Sequence, residues 1–129
     1  MLLDTSGLLI YFDSHSNQHE AADGLFKSSR FRLTHSYVLA EFIPLCEARG
    51  YFRQAALTFS RELMNNPLVE IVWVDEALHQ VAFALLEARL DKTYSLCDAV
   101  SFVLMRQRGL LDAFTTDHHF EQEGFIKLL

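Results

Sequence analysis

Four carboxylates stand at the ends of apolar runs, where an uncompensated charge is hard to place. Asp4 follows Met-Leu-Leu, Glu41 follows Tyr-Val-Leu-Ala, Asp98 interrupts Leu-Cys-Asp-Ala-Val, and Asp117 follows Ala-Phe-Thr-Thr. Setting a carboxylate beside buried apolar surface is costly unless something offsets the charge. A hard divalent cation, which takes oxygen ligands, is a common offset. The runs themselves constrain the fold. Apolar strand-like segments without polar alternation alternate with helical segments, a pattern that predicts a parallel sheet covered on both faces. In such sheets ligands sit outside the carboxyl ends of the strands. Asp4 and Asp117 fall at such ends, and Glu41 and Asp98 fall in the first turns of helices that start on the same rim. The four acids can therefore converge on one cleft, as a metal-dependent phosphodiesterase requires.

The elements are read as follows. Residues Met1–Thr5 form a first strand that runs at once into an apolar helix, Gly7–Phe12. Ser16-Asn17 caps a second helix to about Ser29, and Phe31–His35 is a strand. Ser36 caps a helix that ends at Gly50, with Pro44 inside it predicted to kink it and so to shift Glu41. A helix from Tyr51 to about Asn65 stops at Asn65-Asn66-Pro67. Val69–Val74 reads as a buried strand, and Asp75 caps the helix that follows to about Leu90. Ser95 caps a helix to Arg108 that is apolar nearly all round and so predicted to be well buried. Ala113–Thr116 is a strand, His118–Glu123 a helical turn, and Phe125–Leu129 a last strand.

Composition bounds the rest. A chain of 129 residues suffices for one domain with one core, and no linker, repeat or low-complexity segment divides residues 1–129. Half of the residues are hydrophobic, which excludes a disordered chain. No apolar run approaches the roughly 20 residues that span a bilayer, and no export signal is visible. Cys46 and Cys97 both lie in apolar helical patterns and read as core residues in a reducing compartment, so a cytoplasmic location is expected. The formal charge is −6, which argues against tight, nonspecific RNA binding through basic residues. The four acids account for four of those charges, however, and the balance is compatible with a metal-charged cleft or a basic protein partner.

Four segments in order carry a resemblance: Leu3-Asp4-Thr5-Ser6, Ala40-Glu41, Tyr94-Ser95-Leu96-Cys97-Asp98-Ala99, and Thr115-Thr116-Asp117-His118-His119-Phe120. At these spacings, over nearly the whole chain, the sequence resembles the PIN domain family, and within it the VapC-type toxins of toxin–antitoxin pairs. The resemblance implies a three-layer α/β/α fold around a mostly parallel sheet of about five short strands. It implies a Mg²⁺- or Mn²⁺-dependent endoribonuclease with Asp4, Glu41, Asp98 and Asp117 as the metal-binding acids. Asp4 and Asp98 would have the most direct metal roles. Ser6 and Thr116 match positions where a small hydroxyl supports the acids. The chemistry fits, because a divalent cation generates hydroxide near neutral pH and stabilises charge on a phosphate. An RNA substrate and a cognate antitoxin, whose peptide enters or covers the cleft, are the implied partners.

Other residues are read on their own merits. Lys92, in the loop before Asp98, is the basic residue placed nearest an RNA phosphate. Adjacent His118 and His119 point in different directions on a helix, so they are expected to flank the cleft or lie exposed. His35 and His79 read as structural. Phe52, Phe59 and Leu63 read mostly as core, with part of that helical pair able to form an apolar partner surface; eleven Phe residues make such a patch plausible, and a symmetric homodimer on apolar helices is expected. Two alternative functions stay open: a stand-alone PIN nuclease in RNA processing, or a PIN-fold binding module that no longer cleaves. A phospho-acceptor receiver domain is set aside, since Asp4 lacks an adjacent acid.

Overall fold

The computed structural model describes all residues, 1–129. Its strands are β1 (Leu2–Leu3), β2 (Arg32–His35), β3 (Val69–Val72), β4 (Asp112–Phe114) and β5 (Ile126–Lys127), and its helices are α1 (Thr5–Phe12), α2 (His19–Ser28), α3 (Ser36–Ala48), α4 (Arg53–Asn65), α5 (Glu76–Glu87), α6 (Leu96–Arg108) and α7 (His119–Gln122). The strands form one sheet in the order β3-β2-β1-β4-β5, with every neighbouring pair parallel. The chain builds outward from β1 to β3 on one side, then returns to add β4 and β5 on the other. The reversal at β1 and β4 leaves a crevice at their carboxyl ends, where open parallel sheets bind ligands.

Successive strand residues face opposite sides, and the two cores divide accordingly. Leu3 and Phe114 join Leu8, Ala22, Phe26, Val38, Phe42 and Leu63 in one core, so α1 to α4 cover that face. Leu2, Leu33 and Ala113 join Ala82, Val100, Phe102, Met105 and Phe120 in the other, so α5 to α7 cover the second. The result is the three-layer α/β/α arrangement expected from the sequence.

Several expectations change in detail. The second helix starts at His19 with Gln18 as its N-cap, so Ser16-Asn17 does not cap it. The segment at Val69–Val74 was expected to be a buried strand, but β3 ends at Val72 and only Val69 in it is buried. The strand order places β3 at the sheet edge, where Glu70 faces solvent and pairs with Arg108; a charge on an edge strand blocks further pairing. Pro44 lies inside α3, which continues across it from Ser36 to Ala48. Ser36 is the first residue of that helix, with His35 as N-cap, and its hydroxyl instead accepts the Val74 N–H at 2.9 Å. Asp75 caps α5 by accepting the Leu78 N–H, and Gly109 ends α6 in the left-handed conformation at φ 64°, both as read from the sequence.

Candidate active site

Each acid reaches the crevice by a different local device. Asp4 is the first residue after β1 and the N-cap of α1, with extended backbone and no capping bond from its side chain, so its carboxylate is free to face the rim. α1 can turn so tightly onto the sheet because Gly7 has no side chain: a Cβ there would lie 2.0 Å from the Phe114 carbonyl oxygen. The parallel register Leu3↔Phe114 then sets Asp4 beside Thr115. The Thr115 hydroxyl donates to Asp4 Oδ2 at 2.7 Å, and the Ser6 hydroxyl lies 3.1 Å from the same oxygen.

Asp98 is held by a capping box. Ser95 Oγ accepts the Asp98 N–H and Asp98 Oδ2 accepts the Ser95 N–H, each at 3.0 Å, a reciprocal arrangement that fixes the first turn of a helix. Asp117 follows β4; its N–H donates to Thr115 Oγ1 at 3.0 Å, and its Oδ1 accepts the His119 N–H at 2.9 Å. Glu41, in the second turn of α3, accepts the Thr5 hydroxyl at 3.4 Å and is otherwise open to solvent. All four acids line one cleft of about 600 Å³, together with Thr5, Ser6, Ala40, Pro44, Arg49, Thr93, Ser95 and His119.

The electrostatics of this cleft are those of crowded, uncompensated carboxylates. Asp4 is buried, and burial pushes its carboxyl up to about 6, with the Asp98 charge adding to the rise and the Thr115 and Ser6 hydroxyls opposing it. Burial also raises Asp98, as does the Asp117 charge, against the Ser95 N–H and His119. The neighbouring Cys97 thiol is pushed up by burial and then by Glu41 and Asp4. None of the four acids forms an ion pair with Lys or Arg; the ionisable side chains within ion-pair distance of them are His118 and His119. A cluster of oxygen donors whose charge no basic side chain offsets is the donor chemistry that suits a hard divalent cation, so the residues fit such an ion.

The structure also shows residues that the sequence did not single out. The hydroxyl that meets Asp4 is Thr115's; Thr116 is exposed and contributes its backbone N–H to Ser6 Oγ at 3.0 Å. His119 turns into the cleft, with Nδ1 3.1 Å from Asp98 Oδ2, while His118 is mostly exposed. Lys92 pairs with Asp91 at 3.3 Å and is not among the cleft residues. The basic side chain that does line the cleft is Arg49, at the C-cap of α3. The Asp-x-His-Phe order at 117–120 was a visible signal for His119. Nothing local distinguishes Thr115 from Thr116, or Arg49 from the other surface arginines.

The comparisons with known proteins agree with this geometry. A model of the PIN domain matches residues 1–125. A 23S rRNA-specific endonuclease, VapC20, of Mycobacterium tuberculosis is 29% identical over 129 residues, covering 99% of this chain and 97% of the relative, in each of two strains. The crystal structure of Mycobacterium tuberculosis VapC20, described as a Sarcin-Ricin loop cleaving toxin, superposes with a TM-score of 0.87 at 27% identity, covering 97% of this chain and 95% of that one. By its sequence, its sheet order and this match over almost its full length, the chain belongs to the PIN domain family.

Proposed function

We propose that this protein is a divalent-cation-dependent endoribonuclease and the toxin of a toxin–antitoxin pair, with a location in the cytoplasm. One observation carries the reading: four acids from four separate segments meet in a single cleft with no Lys or Arg paired to them. Asp4, Asp98 and Asp117 would hold Mg²⁺ or Mn²⁺, with Glu41 on the more open side. Such an ion supplies a hydroxide nucleophile near neutral pH and stabilises charge on the scissile phosphate. The protein's own part is placement. Thr115 and Ser6 fix Asp4 Oδ2, Ser95 fixes Asp98, and Arg49 on the cleft wall is placed to hold a phosphate of the substrate, a task suited to a guanidinium. The cleft is open rather than tunnel-like, as a site that admits a folded RNA loop must be.

The substrate proposed is ribosomal RNA, by likeness to the relative named as a 23S rRNA-specific endonuclease. An antitoxin segment has a second surface available away from the acids. Tyr11, Phe12, Phe26, Phe59 and Leu63 line a pocket between α1, α2 and α4, and Phe52 beside it is 86% exposed. The test is incubation of purified protein with ribosomes and with bare 23S rRNA in Mg²⁺, in Mn²⁺ and in EDTA, followed by mapping of new RNA ends. A discrete metal-dependent cut supports the reading. Intact RNA in every condition, together with normal growth of cells expressing the protein, would overturn it in favour of a silent binding module.

A further inference from the structure

Resting on the proposed metal site, we infer that His119 supplies a nitrogen ligand to that site, making it a mixed nitrogen–oxygen centre that favours first-row transition dications over Mg²⁺. Three observations on His119 point this way. Its Nδ1 lies 3.1 Å from Asp98 Oδ2 and 3.4 Å from Asp117 Oδ2. Two ligand atoms each about 2.1 Å from one ion, at right angles, lie about 3 Å apart, so these are the separations of neighbouring donors in one coordination shell. The ring's other nitrogen, Nε2, is 3.1 Å from Thr93 Oγ1. Without an ion, Nδ1 is within hydrogen-bond reach of Asp98; with an ion bound, the Thr93 hydroxyl can accept an Nε2 proton and leave the Nδ1 lone pair toward the ion, the tautomer a ligand needs, and ligating histidines are oriented in this way by a partner on the far nitrogen. The ring is also held from the side. Tyr94 packs edge-on to it, with centroids 5.3 Å apart, and the His119 side chain is only 15% exposed.

His118 provides the contrast. Its side chain is 69% exposed and its Nδ1 is 3.6 Å from Asp117 Oδ1; the His119 ring lies tilted against it at 4.7 Å, but no hydrogen bond on its far nitrogen orients it. Mg²⁺ takes oxygen ligands and keeps its waters, whereas imidazole suits transition ions. A nitrogen donor at this position therefore shifts selectivity without changing the number of acids.

The test is pulsed electron paramagnetic resonance of Mn²⁺ bound to the metal-free protein, with displacement of the Mn²⁺ by Mg²⁺, for wild type, His119→Ala, His118→Ala and Asp98→Asn. Circular dichroism establishes that each variant is folded. The expected result is ¹⁴N coupling to Mn²⁺ in wild type and His118→Ala and none in His119→Ala, with about tenfold less Mg²⁺ displacing the ion from His119→Ala. Tight Mn²⁺ binding that Asp98→Asn abolishes, but with no ¹⁴N coupling in wild type, overturns the nitrogen ligand and leaves the four-acid site standing. Mn²⁺ binding that is absent or unaltered by Asp98→Asn overturns both. Coupling that survives in His119→Ala and vanishes in His118→Ala also contradicts the inference, because the ligand is then the other histidine.

Discussion

Asp4 shows what the site costs the protein when no cation is bound. Its folded value of about 6 lies above the ordinary 3.8, so between those values the folded state binds the proton more tightly than the unfolded chain does. Stability is then fully present below about pH 4 and is lost as pH rises to about 6, a loss of about 3 kcal/mol. Replacing Asp4 by Asn removes that charge. Denaturant melts of metal-free protein should show Asp4→Asn more stable than wild type by about 1–3 kcal/mol at pH 7.5, with the advantage gone at pH 3.5. An Asn variant less stable at both values would show that the carboxylate is not strained. The same strain predicts that wild type, but not Asp4→Asn, gains thermal stability on addition of the cation, by about 2.7 kcal/mol at a hundredfold excess over Kd. The four acids were legible in the sequence because the apolar runs around them make each one conspicuous. The groups that tune them were not. Thr115 meets Asp4 across 111 positions of chain, and only the strand register decides that it, and not Thr116, makes the contact.

At the scale of elements, the site depends on two tight junctions. One is α1 against β4. Alanine normally favours a helix over glycine by about 1 kcal/mol, but the Gly7→Ala methyl group would meet the Phe114 carbonyl oxygen at 2.0 Å and its carbon at 2.6 Å. Backbone cannot step aside as a side chain can, so Gly7→Ala should destabilise by about 3 kcal/mol or more, read as a lower denaturation midpoint; a neutral result would mean that α1 does not sit this close to the sheet. The other junction is the start of α6. Ser95→Ala removes the acceptor for the Asp98 N–H and should cost about 1 kcal/mol in the same melts. The caps at Asp75 and Ser95 and the stop at Gly109 were readable because their signals lie within four residues of the helix ends they define. The edge position of β3 was not readable from its own run, Val69-Glu70-Ile71-Val72; strand order is a property of the sheet, set by which crossovers the chain takes. Pro44 sits between buried Phe42 and Cys46, which hold α3 to the core on both sides of it.

For the whole molecule, the acidic cleft and the exposed apolar side chains lie on different parts of the surface. The acidic cleft sits at the carboxyl ends of the strands, while exposed apolar side chains gather elsewhere: Phe52 and Leu57 near α4, and Trp73, Val81 and Phe83 near β3 and α5. No helix is long and apolar enough to cross a membrane. The patches are proposed as protein interfaces, one for an antitoxin and one for a second copy of the chain. Sedimentation equilibrium at micromolar concentration should find a dimer, and a strictly monomeric protein would contradict that assignment. Acidity concentrated in the cleft also predicts that metal-free protein binds RNA poorly, since phosphates and carboxylates repel; filter binding should improve on adding the cation and weaken with salt. The family was legible as a whole because its acids are spread from the end of the first strand to the end of the fourth, and their order survives even where individual element bounds shift.

The most direct test of a shared metal site is the rate of RNA cleavage by wild type and Asp98→Asn at matched concentrations, in Mg²⁺, in Mn²⁺ and in EDTA, with both proteins shown to be folded. The account predicts cleavage by wild type in a divalent cation, none in EDTA, and a fall of about 100-fold or more in Asp98→Asn. Cleavage that persists in EDTA, or that Asp98→Asn performs at the wild-type rate, would contradict it.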